Sequence, residues 1–153
     1  MHTLMTVAES QYGPESEYEI SGDGRELRIR VRGRTLEDVF LHALHAVTTC
    51  MKPGLKEIAK KGKKVSQTIV VEAVDINSLL LQFLSEVVSS AVSQGAAFSA
   101  VAFKQFGENF LEGRMSGVTV EGFDRDIQGI DDVADVRKNT TTGYYETEVQ
   151  LSV

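Results

Sequence analysis

"DINSLLLQFLSEVVSSAV", residues 75–92, is the most strongly patterned stretch of the chain. Leu79, Leu80, Phe83, Leu84, Val87, Val88 and Ala91 recur at three- and four-residue spacing and make one wide apolar face, so the spacing predicts an amphipathic helix. Asp75 suits the N-cap, where its carboxylate can accept an orphan backbone N–H, and Gly95 supplies the stop. A helix this apolar along one side must be covered by other elements. "QTIVVEAV", residues 67–74, precedes it and reads as a strand rich in β-branched residues.

Upstream, "ELRIRVRG" (26–33) alternates cleanly, with Leu27, Ile29 and Val31 on one side and Arg28, Arg30 and Arg32 on the other. That is a half-buried strand whose arginine face is solvated beside acidic neighbours. Gly33 closes it, and "RTLEDVFLHALHAVTTCM" opens a second helix. Thr35 is the N-cap candidate, and Glu37 and Asp38 suit the positive end of the helix dipole. Leu36, Phe40, Ala43, Leu44, Val47 and Met51 form its apolar stripe. His42 and His45 sit three apart, a spacing able to ligate a metal. No recognised motif of acidic or cysteine ligands accompanies them in the segment, so they read as boundary histidines. "KPGLKEIAKKGKKVS" (52–66), with six lysines, reads as a solvated connector; docking of an acidic partner or an RNA backbone is its alternative reading.

After Gly95 the pattern changes to strands: "AFSAVAFKQF" and "NFLEGRMSGVTVEGF", then "IQGIDDVADVRK" and "YYETEVQLSV" with "NTTTG" as the turn between them. The order strand, helix, strand, helix and then a β-meander predicts an α+β fold, with two helices packed on one antiparallel or mixed sheet. Residues 1–16 are weakly patterned and read as a loosely ordered N-terminal segment. Residues 17–153 read as a single domain.

A length of 153 residues suits one such domain, and 42% hydrophobic residues can build its core. The net charge of −6 weighs against direct nucleic-acid binding and favours a protein partner or a cation. Cys50 is the only cysteine, so no internal disulfide forms, and its place in the second helix predicts a small buried hydrophobe. No apolar run is read as a membrane span and no secretory signal is seen, so a cytoplasmic protein is expected. Glycine-rich phosphate loops, CxxC, HExxH and nucleophile elbows are missing from the sequence. Asp124, Asp126, Asp131, Asp132 and Asp135 form an acidic stretch that could build an oxygen-ligand site for a hard cation, but it matches no calcium-loop spacing and reads as an exposed loop.

Taken together, "RIRVRGRTLEDVFLHALHAV" and "VEAVDINSLLLQFLSEVVSS" resemble the archease family, small proteins that assist a GTP-dependent RNA ligase in tRNA splicing. The family pattern "GxTLEEAF" matches Gly33 through Phe40, and "DLxxLLxxFLxE" matches Asp75, Ile76, Leu79, Leu80, Phe83, Leu84 and Glu86. The resemblance spans residues 17–153 and is strongest over 28–92. Three features depart from the family. Its members carry "HTAD" before the first strand, whose Asp helps bind a cation. Counting back from Gly33 without gaps sets Glu26 at that Asp, whereas Asp23 needs a gap. Family sequences end in an Asp followed by a hydrophobic residue, and here Ser152 and Val153 stand in those places. A "TYH"-like segment gives way to "IDDV".

The resemblance implies a non-catalytic protein that binds the ligase and promotes its guanylylation. It also implies a divalent cation, Ca2+ or Mg2+, at Asp23, Glu26, Ser152 and Val153. A serine hydroxyl is a weaker ligand for a hard cation than a carboxylate, so this site is degraded or rebuilt. Glu86, Asp131 and Asp132 are the candidate partner-facing acids, and an acidic surface suits the basic face of an RNA ligase. The alternatives are a metal-free protein-binding scaffold of the same fold and a small enzyme built on Asp131 and Asp132.

Overall fold

The computed structural model describes residues 17–153. Its elements run β1 (Tyr18–Gly22), β2 (Glu26–Gly33), α1 (Leu36–Met51), the short α2 (Leu55–Ile58), β3 (Lys64–Glu72), α3 (Ile76–Gln94), β4 (Ala96–Phe106), β5 (Phe110–Thr119), β6 (Gly129–Val133), β7 (Arg137–Lys138) and β8 (Tyr145–Ser152). The α+β class and the two long helices follow the sequence pattern. The strands divide between two antiparallel sheets rather than forming one. One sheet has the order β1-β2-β8-β6, with β7 also on β8; the other is β3-β5-β4. The division arises because β8, the last strand, inserts between β2 and β6, a pairing across more than a hundred residues that no local pattern signals.

Both helices touch both sheets, α1 against β2 and β4, α3 against β6, β4 and β3. Four phenylalanines tie these layers together. Phe40 of α1 lies 5.5 Å from Phe83 of α3 and 5.0 Å from Phe106 of β4, ring centre to ring centre, and Phe103 closes on Phe83 at 6.1 Å. The caps are those expected: the Thr35 hydroxyl accepts from Asp38 N at 3.1 Å, and the Asp75 carboxylate from Ser78 N at 2.8 Å. Gly95 ends α3 in the left-handed region, φ +62°, which glycine adopts without strain.

Two further features were not expected. α3 is long and apolar enough, by length and composition, to cross a membrane. Here it is the core helix, with Leu79, Leu80, Phe83, Leu84, Val87 and Ala91 buried and its other side exposing Ser85, Glu86 and Ser89. Gly113 and Gly117 of β5 face a strand that is bulged twice, between Phe98 and Ala100 and between Phe103 and Gln105. A methyl group at Gly117 would overlap the Ala97 carbonyl and lie 2.7 Å from Phe98 Cα, so these glycines let β4 coil closely over β5.

Candidate functional site

Three segments meet at one end of the five-stranded sheet: the turn between β1 and β2, the start of β6 and the end of β8. Antiparallel register sets Glu26 opposite Ser152, and Ser152 in turn opposite Gly129. Val153 N donates to Arg25 O at 2.9 Å and Gln128 N to Ser152 O at 2.7 Å, which fixes the end of β8 between its neighbours. In the turn, Asp23 Oδ1 accepts from Arg25 N at 2.9 Å and from Glu26 N at 3.0 Å. Those two backbone bonds, Arg25's first, hold the Asp23 carboxyl below its ordinary range.

β6 carries an irregularity between Ile130 and Asp132, leaving Asp131 as the extra residue against β8. A bulge re-aims the side chain it carries. The Asp131 carboxylate accepts the hydroxyl of Ser152. Asp23, Glu26, Asp131, Ser152 and Val153 are thus brought to one sheet end, although they come from three separated stretches. The sequence placed Asp131 in the acidic 124–135 stretch, among the partner-facing acids and in the alternative enzyme site, but not with Ser152; its link to Ser152 depends on a bulge, which leaves no residue-type signature. Asp132 lies opposite Gln150 and is exposed, and Glu86 lies on the exposed side of α3, outside the cluster.

This donor set is all oxygen, the chemistry of a hard cation. Its groups are nevertheless engaged with one another, Asp23 by two amides and Asp131 by Ser152. Among the described residues no three His, Cys, Asp or Glu side chains are placed to hold a metal ion. As arranged, the residues do not form a cation cage.

The remaining acids of the 124–135 stretch are dispersed. Asp124 pairs with Lys52 at 3.2 Å, and Asp135 with Arg137 at 3.1 Å and Asn77 at 2.9 Å. The histidines of α1 do have an acidic partner, but from outside their segment. His42 Nδ1 donates to Arg32 O at 2.7 Å, and its Nε2 lies 3.2 Å from the Glu17 carboxylate, with His45 Nδ1 at 3.9 Å from the same oxygen. They fasten the start of β1 to α1. Beside them opens a cleft of about 800 Å³, walled by Tyr18, Thr48, Thr49 and Ser99 and edged by Lys52 and Lys56.

Against this geometry, residues 18–141 match the model of the Archease protein family (MTH1598/TM1083). The chain belongs to the archease family. The match ends before β8, the strand that carries Ser152. Among solved structures, the archease fold recurs in Methanobacterium thermoautotrophicum protein 1598, with a TM-score of 0.59 and 18% identity over 90% of this chain and 99% of that one. It recurs also in an archease described as a possible chaperone (TM1083) from Thermotoga maritima, with a TM-score of 0.55 and 11% identity over 82% and 89%. No curated protein matches the sequence.

Proposed function

We propose that this archease is a non-catalytic cytoplasmic accessory protein of a GTP-dependent RNA ligase, that it promotes the ligase's guanylylation, and that residues 17–153 are the working unit. The observation that carries the reading is the acidic sheet end, which exposes Asp23, Glu26 and Asp131 in a family member that carries no recognisable catalytic motif. An RNA ligase presents basic surface to its substrate, and exposed carboxylates at one sheet end attract such a surface by charge complementarity. The test is guanylylation of the cognate ligase at limiting GTP, with and without the protein. Acceleration that drops in Asp131→Asn and Glu26→Gln, but not in Lys104→Ala, supports the reading. No acceleration by folded protein removes it.

A second reading has one specific observation in its favour. Ser152 spends its hydroxyl on Asp131 and the carboxylates do not converge, which suits a metal-free docking scaffold. Calorimetric titration of the protein alone with Ca2+ and with Mg2+ separates the two. Binding that is lost in Asp131→Asn supports a rebuilt cation site, whereas the absence of heat, with ligase capture intact, supports the scaffold.

A further inference from the structure

The strand edges of the two sheets are not alike. Most are blunted in ways that keep sheets from pairing with one another, by shortness or by bulges. β1 spans five residues, β6 five with a bulge and β7 two, and β4 is bulged twice. β3 is different. It runs nine residues in unbroken register with β5, with neither proline nor glycine in it. Among the described residues no strand pairs its other edge.

The backbone phase of that edge can be read from its two ends. Ala73 N donates to Asn109 O at 2.9 Å, and Lys63 O accepts from Thr119 N at 2.9 Å. Odd-numbered residues therefore turn their N–H and C=O groups towards β5, and Lys64, Ser66, Thr68, Val70 and Glu72 turn theirs to the free edge. These five residues are also exposed, Val70 by 55%. The charges of the strand are Lys64 and Glu72, opposite in sign and at opposite ends, and everything between them is uncharged.

We propose that β3 is a self-pairing edge: two copies of this chain join by antiparallel pairing of β3 with β3 about a twofold axis at Thr68, which makes one six-stranded sheet. Such an axis must pass through an even-numbered residue, since outward backbone groups then face outward backbone groups. Thr68 is the middle of the nine, so the overlap is complete. In that register Lys64 of each copy stands opposite Glu72 of the other, and Ser66 opposite Val70. Moving the axis to Ser66 or Val70 separates the charges and shortens the overlap. Parallel pairing in register would set Lys64 against Lys64 and Glu72 against Glu72, which is unfavourable. A foreign strand charged with one sign throughout would be repelled at one end, so the edge fits its own copy. The contact is a strip of about 30 Å by about 10 Å, short of the roughly 800 Å² per partner of a standard interface. Association is therefore reversible and set by concentration. The acidic end belongs to the other sheet, so the pairing stands whether or not the accessory role holds.

Sedimentation equilibrium of the full chain at rising concentration tests this, and the apparent mass should climb from that of the monomer towards twice that value. Thr68→Pro removes the N–H at the axis in both copies yet leaves the bonds to β5, because proline is tolerated where the N–H faces away from the sheet. With folding checked by circular dichroism, it should weaken association by about tenfold or more. Lys64→Glu and Glu72→Lys should each weaken it as well. An equimolar mixture of those two variants should recover it, because both ends of the mixed pair again join opposite charges. A wild-type chain that stays monomeric at every concentration overturns the proposal. So does association that is equal in Thr68→Pro, or a mixture that associates no better than its components. Slow amide exchange at Ser66, Thr68 and Val70 in a monomer also overturns it, since another part of the same chain would then cover the edge.

Discussion

Burial within the core face of α1 pushes the Cys50 thiol up to about 11, against a smaller downward pull from Arg125. Thiolate is therefore scarce at neutral pH, and a thiol-specific reagent should label Cys50 only as fast as the protein unfolds; rapid labelling under native conditions would contradict its burial. Asp23 and Asp75 are held below their ordinary value of 3.8, Asp23 by the amides of Arg25 and Glu26, Asp75 first by the amide of Ser78. A lowered folded value means that the fold prefers the carboxylate form. The stability it contributes is complete above 3.8 and is lost as pH falls through the lower folded value. Denaturant midpoints taken from about pH 5 down to about pH 2 should fall, and Asp75→Asn should flatten part of that fall. An identical pH profile in the variant would remove the N-cap from the account. At Gly117 the constraint is steric. Gly117→Ala drives a methyl into the backbone of β4 and should cost roughly 2 kcal/mol or more in equilibrium unfolding.

At the scale of elements, α1 and α3 were legible because each announces itself three times, by a cap, by an apolar stripe and by a stop or a change of pattern. Thr35→Ala should cost about 1 kcal/mol, since Asp38 N loses its acceptor. Phe83→Ala should cost about 3–5 kcal/mol, because it empties the contact among α1, α3 and β4. Urea unfolding measures both, and a smaller loss at Phe83 than at Thr35 would mean that the phenylalanine cluster does not hold the layers. β1 was not legible: Tyr18 and Ile20 are only half buried, and a short strand with two inward residues has little periodicity to read. α2 was hidden because a single turn between Gly54 and a run of lysines has no stripe. The bulge in β6 was hidden for a different reason, since the extra residue shows only when the partner strand is known.

For the whole molecule, β8 is the decisive element. It completes the five-stranded sheet from the middle, pairing with β2, β6 and β7, and buries Thr147, Val149 and Leu151. Removing residues 145–153 should leave β6 without a partner and abolish cooperative unfolding, as followed by circular dichroism and thermal melting. A truncated chain that still melts cooperatively would show that the sheet closes without it. The same strand governs the candidate site, because Ser152 can meet Glu26 and Asp131 only once β8 lies between the strands that carry them.

The sequence by itself determined the class of the fold, the two helices with their caps, the alternation of β2 and the family landmarks, because these depend on neighbours a few residues apart. It also supplied Asp23, Glu26, Ser152 and Val153 as a set, through the order of the family's motifs. Tertiary structure alone decided that the strands split into two sheets, that Asp131 joins that set while Glu86 does not, and that Glu17 serves His42. The physical reason is common to all three. A hydrogen bond or a charge contact between residues far apart in the chain depends on which strands pair and in what register, and that choice is made by burying the whole core at once.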